Sequence, residues 1–99
     1  MITPTVGRVV WYRPAKGGDD GHPDPQGQPQ AALIAHVWSD TCVNLIIFDS
    51  NGVPYNRTSV LLVQDGAEKP GAFYAEWMPY QKGQAAKTEA LEKQVATNV

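Results

Sequence analysis

The sequence predicts a mainly β fold, which is a small five-stranded antiparallel barrel with a long first loop and a C-terminal helix. Five short runs of β-branched, aromatic and aliphatic residues are separated by turn-forming residues, as in all-β domains. A stretch of 17 residues after the first run holds four glycines and four prolines, which excludes a helix or a strand there. The end of the chain changes to Ala, Lys, Glu, Leu and Gln, which are strong helix formers.

The size and charge of the chain limit its class. With 99 residues and a net charge of −2, it has room for one domain, and we assign the barrel to residues 1–83 and a helical or frayed segment to residues 84–99. The single cysteine, Cys42, excludes an intramolecular disulfide, and no apolar run approaches the ~18 residues of a membrane span. The sequence does not open with a basic segment and a long apolar stretch, so we expect a cytoplasmic protein.

The first strand is predicted at residues 6–13, and the long loop follows it at residues 14–30. Three aspartates lie in this loop, Asp19, Asp20 and Asp24. Long loops without secondary structure are uncommon in small domains, where they are either functional or disordered. We expect a mobile connector, and a binding loop is the alternative.

The next four strands are predicted at residues 31–38, 42–49, 59–64 and 73–78. Asn51 and Gly52 are typical of a hairpin with a type I′ turn, in which both central residues need a positive φ. Two of the strands are almost continuously apolar, at residues 45–48 and 60–63, so both of their faces need a cover. The loop, the C-terminal helix or a second subunit could provide it.

Residues 84–97 are predicted to be helical, and Glu89 and Lys93 have the i, i+4 spacing that favours an ion pair. The apolar residues of this segment form only a thin stripe, and an isolated helix of about 14 residues is marginal in water. We expect a tail, and a helix that docks on a partner surface is the alternative.

The order of strand, long loop, strand, short turn, strand, hairpin, strand and strand resembles the SH3-like barrel, in which the first loop is the longest. Residues 31–63 resemble the Tudor and chromo-type barrels, with a strand that ends in Phe48 and Asp49 and a turn at Asn51 and Gly52. This resemblance implies a binding module with an aromatic cage for a methylated side chain, because a cation sits over ring faces. The rings that such a cage would use are Tyr12, Trp38, Phe48 and Tyr55. Packing of these rings in the core and the hairpin is the alternative.

The opening segment at residues 7–12 and the closing segment at residues 74–85 resemble small uncharacterised proteins encoded by tailed bacteriophages and prophages. That resemblance implies a phage or bacterial origin and a small binding role. It assigns no reaction to the chain, because the family carries no established activity.

We predict no catalytic residue, no cofactor site and no metal site. Cys42 and His36 lie on consecutive predicted strands, where an inert thiol and a core or edge histidine are the usual outcome. His22 lies among the three loop aspartates, which could hold a divalent ion loosely. Their spacing fits neither a calcium loop nor a zinc pattern, so we interpret them as a solvated acidic loop.

Nucleic acid is the main alternative to a protein partner, since small barrels bind single strands through stacked aromatics beside basic residues. Four basic residues lie near predicted strand ends, Arg8, Arg13, Lys16 and Arg57. The net charge of −2 and a pI near 5.5 disfavour this reading, because a basic footprint is expected for nucleic-acid binding.

The sequence therefore predicts a non-enzymatic protein-interaction or assembly module that binds a protein, or a second copy of itself, through exposed aromatic residues. The predicted binding surface comprises Trp11, Tyr12, Arg13, Trp38, Tyr55, Tyr74 and Tyr80. A single-stranded nucleic-acid binder of the same architecture is the alternative, and a small enzyme completed by oligomerisation is a third hypothesis.

Overall fold

A computed structural model describes the backbone of residues 1–97 and the side chains of residues 1–91. Along the chain it contains β1 Val9–Arg13, β2 Gln30–Ser39, β3 Cys42–Phe48, β4 Pro54–Val63, β5 Tyr74–Glu76 and α1 Pro79–Thr97. The strands close into a barrel in the order β1-β2-β3-β4-β5, and β5 pairs with β1. The prediction of a small five-stranded barrel with a C-terminal helix is confirmed.

One strand pair departs from the predicted antiparallel arrangement. β4 and β5 run parallel, whereas the other four pairs are antiparallel. The connection between them spans residues 64–73, and a segment of that length reaches about 33 Å when extended. It therefore returns along the barrel, so that β5 runs in the same direction as β4 and closes the barrel against β1.

The core fills the inside of the barrel and comes from alternate residues of the strands, as the two-residue period of a strand requires. Its fully buried members are Val10, Tyr12, Ala32, Ile34, Val43, Leu45, Ile47, Val60, Leu62, Ala75 and Trp77. Trp77 directly follows β5, is 1% exposed and completes this core.

β4 begins at Pro54, well before its predicted start at residue 59, and its first half is polar. Tyr55 lies opposite Ile47 and packs against the core, so a polar-tipped residue continues the inner face of the strand. At the middle of β4, Ser59 adopts a left-handed φ of 55° and its N–H donates to Asn44 Oδ1 over 2.8 Å. Apolar patterning therefore detects only the second half of this strand.

The turn between β3 and β4 lies where the sequence predicts it but is not of type I′. The Gly52 N–H donates to Asp49 O over 2.9 Å, so Ser50 and Asn51 are the central residues of the turn. Of the predicted Asn51-Gly52 pair, only Gly52 has a positive φ, at 78°. Asp49 Oδ1 accepts hydrogen bonds from the N–H groups of Asn51 and Val53, at 2.8 and 2.9 Å. The Asp49 side chain thus shapes the turn in place of a second left-handed residue.

α1 begins at Pro79, before the predicted start at residue 84. Proline suits the first helical position, because the N–H that it lacks would have no partner inside the helix. Gln81 Oε1 accepts from the Met78 N–H over 2.8 Å, and Gln81 Nε2 donates to Val9 O over 2.8 Å. These bonds cap the helix and tie its start to β1.

Beyond its start, α1 extends away from the barrel. The molecule measures 56 Å along its longest axis and 24 and 22 Å across it. The first turns of α1 lie beside Met1, Asp65 and Trp77, whereas Tyr80 and Leu91 are exposed. The helix is thus anchored at one end and leaves the sides of the barrel uncovered.

Parts of the predicted C-terminal segment lie outside the described residues. These are residues 98 and 99 and the side chains of residues 92–97, which include Lys93 of the predicted ion pair. Among the helices that the structure describes, none has both the length and the apolar character needed to cross a membrane.

Candidate functional site

The long loop, residues 14–29, folds over one end of the barrel, which also carries the β3–β4 turn and which we call the loop end. Three backbone hydrogen bonds stabilise turns within it, from Gly18 to Ala15, from His22 to Asp19 and from Gln28 to Pro25. The segment contains no helix or strand, in agreement with the sequence. Its mobility stays a prediction, and specific side-chain contacts hold it to the barrel.

Asp19 closes the loop end by accepting hydrogen bonds from three barrel side chains. Its Oδ2 atom accepts from the hydroxyls of Tyr12 and Tyr55, at 3.0 and 2.9 Å, and its Oδ1 atom accepts from Arg57 Nη2 at 2.8 Å. The carboxylate is buried, and the Arg57 guanidinium lies 4.1 Å from the centre of the Phe73 ring. This charge-assisted network fastens the loop to β1 and β4.

The network shifts the pKa of each member in the direction that preserves the ion pair. Burial alone would raise the pKa of Asp19, but hydrogen bonds from Arg57, Tyr55 and Tyr12 outweigh it and hold that pKa below its ordinary value. Burial and the nearby carboxylate raise the pKa of both tyrosines well above the usual value. At neutral pH the cluster therefore contains a carboxylate, a guanidinium and two neutral phenols.

Gln30 is the incompletely satisfied residue of the loop end. It is 3% exposed, and its Nε2 atom has no partner among the described residues. The Tyr55 hydroxyl lies 2.6 Å from Gln30 Oε1 as well as near Asp19, but it has one hydrogen, which the carboxylate takes as the stronger acceptor. Nε2 thus lacks a partner as the amide is oriented, and a half-turn of the amide would bring it next to the Tyr55 hydroxyl oxygen. A buried polar atom without a partner costs about 1–3 kcal/mol.

His22 makes a second contact between the loop and the barrel. Its Nδ1 atom lies 2.7 Å from Asp49 Oδ2, and its ring stacks on Tyr55 with 3.9 Å between the ring centroids. The hydrogen bond with His22 is the main reason that the pKa of Asp49 lies below its ordinary value. The same aspartate thus shapes the β3–β4 turn and holds the loop against it.

A groove of about 500 Å³ lies between the second half of the long loop and the β3–β4 turn, and we call it the loop groove. Ala31 and Phe48 contribute its apolar wall, and Gln30 lies beside them. In the part of the chain that the structure describes, its charged lining residues are Asp24 and Asp49, and no Lys, Arg or His lines it. The groove is therefore partly apolar and negatively charged.

Apolar side chains cover the outside of β1, β2 and β3, and we call this surface the outer face. The strand register places Val9 opposite Leu33, Leu33 opposite Ile46, and Trp11 opposite Ala31 in the next row. The outer face consists of Val9, Trp11, Ala31, Leu33, Ile46 and Phe48, each of which is exposed or half-buried. Because two of these residues also line the loop groove, the two surfaces are continuous.

Tyr12 requires a correction of the predicted binding surface. It is completely buried, because alternate residues of β1 face the barrel interior, and its hydroxyl is bonded to Asp19. Tyr55 is half-buried and turned toward the same carboxylate. Trp38 lies eight residues beyond the loop end of β2, a distance of about 26 Å along the strand. The rings proposed for an aromatic cage therefore do not converge.

The other predicted surface residues form two separate groups. Trp11, Arg13 and Tyr74 are half-buried toward the loop end, where the Arg13 guanidinium lies 5.5 Å from the centre of the Trp11 ring. Trp38 and Tyr80, which are 62% and 74% exposed, lie toward the opposite end of the barrel. The structure thus brings only the first group next to the outer face.

Cys42 and His36 lie in different cross-strand pairs of the β2–β3 hairpin. Cys42 is opposite Ser39, and His36 is opposite Asn44. His36 packs edge-on against Trp38, with ring centroids 4.5 Å apart. No hydrogen bond joins the pair in the described part of the chain.

The acidic and histidine side chains of the long loop contact different partners. Asp19 faces Arg57, and His22 faces Asp49. Over the described residues, no three His, Cys, Asp or Glu side chains are grouped so that they could hold a metal ion.

Two features of the site were missed in the sequence. The uninterrupted apolar run at residues 45–48 predicted that a second strand face needs a cover, but it did not identify Val9 and Leu33 as its neighbours. Gln26 and Gln28, which line the loop groove, carry no sequence signal, because glycine and proline content describes a loop without indicating where it folds.

Comparison of the chain with protein-family models, with curated proteins and with solved structures finds no match.

Proposed function

We propose that this protein is a non-enzymatic protein-interaction or assembly module that associates through its outer face, with a second copy of the chain as the partner. The observation that carries the proposal is the contiguous apolar surface itself. Its six residues come from three neighbouring strands, and none of them carries a charge. Aromatic and aliphatic residues without charges are typical of the centre of a protein interface.

In the described part of the chain, no other segment covers the outer face. α1 lies beside Met1 and Trp77 at its start and then projects from the barrel. The long loop is held at the loop end through Asp19 and His22. Burial of exposed apolar area against another molecule is favourable by about 25 cal/mol per Å², so the uncovered face favours association.

The outer face suits contact with a second copy of the chain through side-chain packing. A two-fold axis brings the same patch of both copies together, and the outer face holds no like charges that would oppose this contact. The barrel is closed, so the strands that the structure describes offer no free edge for pairing with another chain. Association would therefore occur through side-chain packing.

The ion pairs that two basic residues make within the protein support a protein partner over single-stranded nucleic acid. Arg13 Nε lies 2.9 Å from Glu76 Oε2, and Arg57 Nη2 lies 2.8 Å from Asp19 Oδ1. Two of the four basic residues near strand ends are therefore engaged in ion pairs. An engaged guanidinium contributes less to phosphate binding, and the net charge is negative.

Light scattering across a wide range of protein concentrations tests this proposal. We expect the mass of the wild-type protein to rise toward that of a dimer. Ile46→Lys should raise the dissociation constant by about tenfold or more, because burying one isoleucine contributes about 1.5–3 kcal/mol. Leu61→Lys is the matched control, since Leu61 is similarly exposed, at 41% against 37%, but lies on β4 outside the outer face.

The control should dimerise like the wild-type protein, and circular dichroism should show that both variants are folded. A wild-type mass of one chain at every concentration would exclude a second copy as the partner. An equal loss of dimer in both variants would show that the outer face is not the contact.

A further inference from the structure

We infer that the loop groove binds an extended peptide segment that carries a lysine or arginine side chain. This inference rests on the protein-interaction role proposed above and names the chemistry of a partner for the surface that adjoins the outer face. The groove is open, has a volume of about 500 Å³ and combines an apolar wall with polar side chains. That size and mixture are typical of ligand grooves on proteins.

The groove offers amide groups that suit a peptide backbone. Gln26, Gln28 and Gln30 all line it, and each amide side chain has both hydrogen-bond donors and acceptors. A peptide bond presents one donor and one acceptor. Because the barrel described here is closed, a bound segment cannot be recognised by adding a strand to an edge, so side-chain amides have to supply these contacts.

The buried amide of Gln30 gives a second, independent indication of a ligand. Its Nε2 atom is buried and has no partner among the described residues. Buried polar groups are satisfied in the great majority of cases, and exceptions mark a functional role or an absent partner. A peptide carbonyl that reaches Gln30 from the groove would supply an acceptor for Nε2.

The negative charge of the groove favours a cationic side chain on the bound peptide. Both charged lining residues are carboxylates. Asp49 is engaged, because its oxygens bind His22 and the turn N–H groups. Asp24 is exposed, and its Oδ1 atom accepts only the local hydrogen bond from the Gln26 N–H, at 2.9 Å. Asp24 is therefore the carboxylate that would pair with a cationic side chain of the peptide.

The loop is held in a strained conformation beside the groove. Gln26 has a left-handed φ of 55°, and Gly27 follows it with a φ of 83°. Arg13 Nη1 donates to Gly27 O over 2.9 Å and keeps the tip of the loop in place. A non-glycine residue in this region costs about 1–2 kcal/mol and is concentrated at binding sites, where it sets the direction of a side chain.

Titration of the ¹⁵N-labelled full chain with a short capped peptide of alternating Lys and Val residues tests the inference by NMR. We expect chemical-shift changes at the backbone and side-chain amides of Gln26, Gln28 and Gln30. Asp24→Asn should weaken binding about two- to fivefold, as expected for loss of an exposed ion pair. This substitution keeps the acceptor for the Gln26 N–H, so the turn is preserved.

Asp20→Asn is the matched control, because it removes the same charge from the same loop at an exposed residue that does not line the groove. It should bind the peptide like the wild-type protein, and a peptide of alternating Glu and Val should not bind. Equal weakening by both substitutions, equal binding of both peptides, or shifts confined to other surfaces would overturn the inference. Failure here leaves the Ile46→Lys dimerisation result unaffected, so the two proposals fail separately.

Discussion

The two ends of the barrel are closed by polar groups of different kinds. At the loop end, the charged carboxylate of Asp19 binds two tyrosines and an arginine. At the opposite end, which we call the helix end, the neutral amide of Gln64 binds the N-terminal segment, the β2–β3 turn and Trp77. Both groups fasten a peripheral segment to the barrel, but among the described residues the loop end also contains a buried amide atom without a partner, Gln30 Nε2.

Gln64 uses its full hydrogen-bonding capacity. Its Nε2 atom donates to Ile2 O at 2.8 Å and to Asp40 O at 3.0 Å. Its Oε1 atom accepts from the Ile2 N–H at 3.3 Å and from Trp77 Nε1 at 3.1 Å. An amide has two hydrogens and two lone pairs, so no capacity remains. The helix end therefore has the features of a purely structural closure.

The loop end contains two kinds of local conflict, and the other left-handed non-glycine residue among the described residues, Ser59, lies in the middle of β4. Gln30 buries a polar atom without a partner among the described residues, and Gln26 has a left-handed backbone. Proteins are locally consistent over most of their structure, and conflicts of this kind accumulate at functional sites. This comparison supports our proposal that binding occurs at the loop end, whereas the contacts of Gln64 at the helix end are those of structural support.

Removal of the Gln64 side chain should give the largest loss of stability. Gln64→Ala leaves the polar groups of Ile2, Asp40 and Trp77 without their partner. We expect the free energy of unfolding to fall by about 3 kcal/mol, because each buried unpaired group costs about 1–3 kcal/mol and some of them will reach water. Urea denaturation followed by tryptophan fluorescence measures this change.

Gln84→Ala provides the control, because Gln84 is an exposed glutamine of α1. It should change the free energy of unfolding by no more than about 0.5 kcal/mol. If both variants lost the same stability, Gln64 would not be the group that closes the helix end.

Substitution of Asp19 should have a smaller and more local effect. Asp19→Asn removes the negative charge beside the Arg57 guanidinium and replaces one accepting oxygen with an NH₂ group, so we expect the free energy of unfolding to fall by about 2 kcal/mol. The hydrogen-bonded amides of Gly18 and His22 should exchange faster, while those of β3 keep their protection until global unfolding. The control Asp20→Asn should change neither the free energy of unfolding nor the exchange rates of the loop amides. Uniform acceleration in the loop and the barrel would contradict a separable loop end.

The same variant should change the acid dependence of stability. The pKa of Asp19 is lower in the folded protein than in the unfolded chain, so its contribution is fully present above the ordinary carboxyl value and is lost as the pH falls through the lowered folded value. We expect wild-type stability to fall as the pH drops below about 5 and Asp19→Asn to show a shallower fall. Asp49 and Asp65, whose pKa values are also lowered, should retain the remaining slope.

These two closures also show what the sequence could and could not predict. The apolar runs predicted that five strands exist and roughly where they lie, because the apolar pattern of a strand is local in the sequence. The partners of Asp19 are 36 and 38 residues away in Tyr55 and Arg57, and nothing in the loop sequence indicates them. The early start of β4 was missed for the same reason, since its first residues are polar and face a cluster that only the fold assembles.

The smallest expected effect concerns the strained tip of the loop. Gln26→Gly should raise the free energy of unfolding by about 0.5–1 kcal/mol, because glycine adopts a left-handed φ without the clash that a side chain meets there. Gln28→Gly, at a neighbouring residue outside the left-handed region, should instead lower it slightly. Differential urea unfolding of the two variants gives the sign of each change.

The outcome of this substitution matters most when stability and binding are measured together. If Gln26 is strained because its amide contacts a peptide, Gln26→Gly should be more stable than the wild-type protein and should bind the Lys–Val peptide more weakly. A gain of stability without loss of binding would make the strain incidental. A loss of stability would show that the Gln26 side chain supports the loop, and the division between a supporting helix end and a binding loop end would no longer hold.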